Sequence, residues 1–134
     1  MIATMPLMVV PFLLYNFIIL GFIGNGVSDL DATVTLLQMM SGATWTMSWG
    51  DVLIVISLVL LFIEVLKATR IGAWSVIDHM LSMLVFIGFL VEFLLVRDAA
   101  TQVFFILMVI ALVDVIAGFS VSIRSAGRDV SIGL

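Results

Sequence analysis

Cysteine is absent from this 134-residue chain. Disulfides, zinc–thiolate sites and iron–sulfur clusters are thereby excluded. Basic residues are almost as scarce, with five Lys and Arg against nine Asp and Glu and a net charge of −4. The five are scattered, which leaves no electrostatic footprint for nucleic acid. The single histidine, His79, could serve a b-type haem only together with a Met or a second copy of the chain. Charged residues make up 10% of the sequence, where a soluble domain carries about 25%. No segment has the form of a phosphate-binding loop, a nucleophile–base arrangement or a metalloprotease motif. No catalytic residue, metal ligand set or cofactor site is therefore assigned, and the chain reads as non-enzymatic.

What remains is apolar. Hydrophobic residues account for 64% of the chain, and the mean hydropathy is +1.40. They gather in four runs, roughly Met5–Gly24, Asp51–Arg70, Val76–Val96 and Gln102–Ile123. A helix rising ~1.5 Å per residue needs about twenty apolar residues to cross a ~30 Å hydrocarbon core. The expected fold is all-α: a four-transmembrane-helix bundle, up-down, forming one integral membrane domain over residues 1–134. The longest polar connection, Asn25–Gly50, is too short to fold alone. Met1–Phe12 contains no Lys or Arg, so the first run is expected to be a retained helix and not a cleaved leader.

Basic residues set the expected orientation. Lys67, Arg70, Arg124 and Arg128 fall on one side and Arg97 on the other, which places both termini in the cytoplasm. Trp45 and Trp49 then mark the outer interface and Trp74 the inner one. Ser48–Asp51 and Ser75–Asp78 have the form of capping boxes opening spans two and three, and Asp98 is placed to cap span four. In the first loop, Asp31 through Met40 is expected to form a short interfacial helix with Val34, Leu36, Leu37 and Met40 apolar, ended near Gly42. Pro11 is expected to kink span one by freeing the carbonyl of Leu7.

Three acids lie inside the apolar runs. Asp114 falls near the bilayer centre, Glu64 roughly 5 Å to the cytoplasmic side and Glu92 roughly 9 Å to the outer side. A carboxylate at such depth costs roughly 2.5–3.5 kcal/mol on insertion scales, so each needs a role or a partner. Their helical faces carry small or polar residues: Ala111, Gly118 and Ser122 with Asp114, Gly88 with Glu92, and Ser57 with Glu64. Those faces should turn inward or toward a partner. Asn16 and Tyr15 bring further polarity from span one. Three uses stay open: an ion path, contact with another subunit, or structural hydrogen bonding, the last including a Glu64–Lys67 pair at i,i+3.

The segments Glu64–Arg70, Ser75–His79, Glu92–Arg97 and Asp114–Arg128 resemble a group of small uncharacterised bacterial inner-membrane proteins with four helices. The resemblance covers about the last eighty residues and implies a multi-pass position in the bacterial cell inner membrane. It implies no activity. The first functional expectation is a non-enzymatic accessory or scaffold subunit of a larger membrane assembly, in contact with the lipid bilayer and with other membrane subunits or copies of itself. The alternatives are a small oligomeric proton- or cation-coupled transporter or channel, and a haem or quinone carrier.

Overall fold

Each of the four apolar runs contains a helix. The computed structural model describes residues 5–69 and 73–133, and of 73–75, 122 and 125–133 the backbone alone. The helices are α1 (Val9–Ile19), α2 (Trp49–Lys67), α3 (Ala73–Leu95) and α4 (Gln102–Gly133). Between α1 and α2 stands an antiparallel hairpin of β1 (Thr33–Gln38) and β2 (Thr44–Ser48), preceded by a 3-10 turn at Val27–Asp31. A second 3-10 turn, Arg97–Ala99, joins α3 to α4.

Three of the helices, α2, α3 and α4, contain segments long and apolar enough to cross a membrane. Helix α1 is shorter than the expected span one, at 11 residues, or about 16 Å at ~1.5 Å per residue. Its limits have local causes. Pro11 lies in the first turn, where a missing N–H costs nothing because that donor would be orphaned anyway. It therefore starts the helix and does not kink it, contrary to expectation. At the other end Gly21 adopts a left-handed φ of 81°, and the N–H groups of Phe22 and Ile23 close back on the Phe17 carbonyl. The helix stops there although the apolar run continues.

The expected interfacial helix in the first loop is replaced by the hairpin. Spacing of Val34, Leu36, Leu37 and Met40 suited a helix, but Thr33, Val34, Thr35, Thr44, Trp45 and Thr46 are β-branched or aromatic and favour a pleated strand. Thr35 faces Met47 and Leu37 faces Trp45 across the ladder. The turn is closed by Gly42 N–H on the Met39 carbonyl at 3.0 Å and Met39 N–H on the Ala43 carbonyl at 2.7 Å. Gly42 has φ 89°, so the residue expected to end a helix turns the chain of a hairpin.

Helix starts are partly as expected. The Ser48–Asp51 capping box is formed in both directions. Helix α3 begins at Ala73, which puts Asp78 in its second turn and out of the capping position, while the Ser75 side chain lies outside the described residues. At α4 the cap is Thr101, whose hydroxyl accepts from Phe104 N–H at 3.1 Å, and not Asp98.

Helix α4 packs against both α2 and α3, and α1 touches all three. The core at mid-bundle is aromatic. Phe12 meets Phe89 edge-on at 5.0 Å between ring centroids, and Phe104 lies 5.3 Å from Phe89 and 4.8 Å from Tyr15. Met8, Leu107 and Ala111 complete it. The outer faces of the long helices, including Val59, Phe62, Leu84, Leu94 and Ile116, are exposed and apolar. In water such a surface would be an association liability.

Candidate functional site

The three acids of the apolar runs divide between two sites. Glu64 and Asp114 come together at the end of the bundle where α2 finishes, joined by Asp78 and Ser82 of α3 and by Lys67. Glu64 and Asp114 are each 3% exposed, Asp78 6% and Ser82 2%. Lys67 Nζ donates to the Met5 carbonyl at 2.9 Å and to Glu64 Oε1 at 3.1 Å, and stands 3.6 Å from Asp78 Oδ1. Glu64 Oε1 also accepts the Leu7 N–H at 2.6 Å, which ties the start of α1 to the last turn of α2. Ser82 donates to the Asp78 carbonyl at 3.0 Å, and its hydroxyl also lies beside the Asp114 carboxylate.

Helical spacing explains the convergence. Ser57 and Glu64 are both buried on one face of α2. On α4, Ala111, Asp114 and Gly118 form the buried stripe that their spacing predicts. Gly118 admits His79, whose ring stacks near Phe119 at 4.9 Å between centroids.

Charge balance within the cluster is uneven. Among the described residues three carboxylates share one ammonium, and Lys67 is committed to Glu64, Asp78 and the Met5 carbonyl. Asp114 forms no ion pair among the described residues. Its Oδ2 and the Oδ1 of Asp78 are buried with no hydrogen-bond partner. Among the described residues no group of three or more His, Asp or Glu side chains is disposed to hold a metal ion.

The second site occupies the opposite end. Asn16 Nδ2 donates to Glu92 Oε2 at 3.0 Å and to the Phe12 carbonyl at 2.8 Å. Gly88 receives the Phe12 ring one turn away, so the Gly88–Glu92 face of α3 meets the Phe12–Asn16 face of α1. Buried Tyr15 donates its one hydroxyl hydrogen to the Asp98 carbonyl at 2.9 Å. The Thr101 hydroxyl, 2.6 Å away, is then the donor to Tyr15 while its oxygen accepts Phe104 N–H. The aromatic core lies between the two sites on every helix that joins them: Phe12 on α1, Phe89 on α3 and Phe104 on α4.

The interface residues fall as follows. Trp45 and Trp49 are exposed beside the hairpin end. Arg124 is exposed on the second half of α4. Trp74, Ser122 and Arg128 have side chains outside the described residues, and Arg70 lies outside them altogether. Sequence reasoning missed Asp78, Ser82, Thr101 and the Leu7 backbone as participants. Asp78 and Ser82 are one helical turn apart, a signal hidden by the cap-like setting of Asp78. A groove of about 420 Å³ between α1, the first loop and α2 is lined by apolar side chains such as Ile18, Val52, Leu53 and Ile56, with Asp29 its one charged wall residue.

No family model, curated protein or solved structure matches this chain.

Proposed function

We propose that this chain is a multi-pass protein of the bacterial inner membrane with no chemistry of its own, serving as an accessory or scaffold subunit of a larger membrane assembly. In this reading α2, α3 and α4 cross the bilayer. Helix α1 accompanies them as a fourth, shorter element, bound at one end through Leu7 and Glu64 and at the other through Tyr15 and Asp98. Lys67 and Arg124 then lie at the cytoplasmic end, as the positive-inside rule favours. The hairpin stands at the outer end, because open strand edges cannot be satisfied in hydrocarbon.

The observation that carries the reading is the hairpin itself. Among the described residues its two strands pair only with each other, and Val34, Leu36, Leu37 and Trp45 are exposed. An isolated two-stranded sheet is marginal in water, so a partner surface that covers this one supplies the missing stabilisation. The intramembrane acids face inward and give the partner little to hold. The test uses the absence of native cysteine. Single cysteines at Leu36 and at Trp45 are cross-linked in intact membranes. One and the same protein, foreign or a second copy, should be captured from both positions and not from Leu94 on the lipid face. A chain that stays uncrosslinked at the hairpin and monomeric in mild detergent contradicts the proposal.

The rival reading, an oligomeric proton- or cation-coupled transporter, draws support from the partnerless Asp114 oxygen. A relay through one copy would have to connect Glu92 with the Glu64–Asp114 cluster past Phe12, Phe89 and Phe104. Proton flux in liposomes that survives both Asp114→Asn and Glu92→Gln removes it.

A further inference from the structure

We infer that the Glu64–Lys67–Asp78–Asp114 cluster is a proton-binding site, in which Asp114 holds one exchangeable proton that enters and leaves only at the Lys67 end of the bundle. The inference is independent of the hairpin and of any partner.

The geometry leads there by charge balance. The charged groups around Asp114 are Glu64 and Lys67 from α2 and Asp78 from α3; the Ser82 hydroxyl is the neutral polar neighbour. His79 of α3 packs one turn further along α4, against Gly118 and Phe119. From the α1 side come, among the described residues, only backbone groups, the Leu7 N–H and the Met5 carbonyl, both already bonded. Lys67 neutralises one carboxylate's worth of charge, and the two carboxylates it stands against, at 3.1 and 3.6 Å, are Glu64 and Asp78, not Asp114. Counted over the described residues, with all three acids ionised the cluster carries two uncompensated negative charges in a site where Glu64, Asp78 and Asp114 are all nearly inaccessible. Buried charge without a counter-charge is the costliest arrangement a protein interior can hold, and a carboxylate escapes it by binding a proton. Asp114 is the acid farthest from compensation. Its Oδ2, buried and accepting no bond, is where that proton can sit. The proton comes from water as H⁺, converts –COO⁻ to –COOH and leaves by the same route.

That route is one-sided. Toward the other end, Ala111, Leu107 and Phe104 of α4 and Phe89 of α3 are buried, and Ser57 of α2, buried between Glu64 and the hairpin end, has its hydroxyl hydrogen committed to the Leu53 carbonyl at 2.7 Å. Toward the Lys67 end, Lys67 is itself partly exposed, which gives the cluster contact with the surroundings.

Infrared difference spectroscopy on the full chain in lipid nanodiscs and liposomes reads the proton directly. A carboxylic C=O band should be present at neutral pH in the native chain and missing in Asp114→Asn, while the folded helical content is unchanged because Asn mimics the neutral acid. Lys67→Gln should enlarge the band, since the cluster must then bind at least one more proton to replace the lost ammonium. In liposomes with the chain in a single orientation, deuterium supplied from the Lys67 side should shift the band, and deuterium from the hairpin side should not. A band of equal size in the native chain and Asp114→Asn overturns the assignment of the proton. A band unaffected by Lys67→Gln overturns the charge-balance argument. Equal exchange from both sides overturns the one-sided route.

Discussion

The backbone N–H of Leu7 and the ammonium of Lys67 share a single carboxylate oxygen, Oε1 of Glu64, at 2.6 and 3.1 Å. One acid thus fixes where α1 begins and neutralises the last turn of α2. Its removal strands the Leu7 N–H and leaves Lys67 with the Met5 carbonyl and Asp78. Glu64→Ala is expected to destabilise the detergent-solubilised protein by about 1–3 kcal/mol, the cost of leaving the Leu7 N–H without its acceptor. Glu64→Gln keeps an acceptor for Leu7 and should lose distinctly less. Denaturation in mixed detergent micelles measures the difference, and exchange of the Leu7 amide should accelerate in the Ala variant first. Two variants of native stability would show that the contact contributes nothing.

At the other end the Tyr15 hydroxyl links α1 to the α3–α4 connection. Tyr15→Phe removes the donor to the Asp98 carbonyl and the acceptor for Thr101, and is expected to cost about 1–2 kcal/mol. Thr101→Val removes the α4 cap as well, at a further cost of roughly 1 kcal/mol. Because the two side chains share one hydrogen-bond chain, the double variant should lose less than the two losses added together. Strict additivity would mean that the 2.6 Å contact couples nothing.

Much of this arrangement was legible from spacing alone. Three long helices, the Ser48–Asp51 box, the Glu64–Lys67 pair and the inward stripes of Glu64 with Ser57, Glu92 with Gly88 and Asp114 with Ala111 and Gly118 all follow from the 3.6-residue period. Two things were not legible. The first is the conformation of residues 33–48, where apolar spacing and β propensity pointed in opposite directions and the sharp Gly42 turn decided between them. The second is which helix faces meet. Depth along a helix can be counted from the sequence, but the partner of Glu92 is Asn16 while Asp114 joins Glu64 and Asp78, and that depends on packing across the bundle. Asp78 was misread for the same reason, because a capping acid and a buried ion-pair partner look alike in one dimension.

Two glycines in the helix interfaces should respond in opposite ways to the same methyl group. A Cβ on Gly88 would meet the Phe12 ring at 3.5 Å, an ordinary contact. Gly88→Ala is therefore expected to be neutral, or to stabilise by up to about 1 kcal/mol through helix propensity. A Cβ on Gly118 would come within 2.8 Å of His79 Cε1 and 3.0 Å of Nδ1. The imidazole has Phe119 beside it and cannot simply swing clear, so Gly118→Ala should cost about 1–3 kcal/mol as overpacking. Melting of the two variants side by side in one detergent provides the comparison. The prediction fails if Gly118→Ala is the more stable of the pair.

The hairpin can be loosened without touching the helices, which separates its role from theirs. Gly42 has φ 89°, and nothing lies within 4 Å of a Cβ built there, so a side chain would fit in space but not in conformation. Forcing an L-residue into the left-handed region costs roughly 1–2 kcal/mol. A two-stranded sheet has little reserve against such a loss. Gly42→Val, which adds β-branching to the same conflict, should open the turn and expose the backbone of Leu36 and Leu37 to exchange. The α2 start should be unaffected, because its capping box is built from Ser48 and Asp51 on the far side of the ladder from the turn. Amide exchange resolved by residue tests both halves. Rapid exchange at Leu36 and Leu37 with slow exchange preserved in α2 is the expected pattern, whereas parallel loss of protection in α2 would show that hairpin and bundle form one cooperative unit. If the hairpin carries the partner contact, the same variant should also lose the cross-link made from Trp45 while its helical content stays that of the native chain.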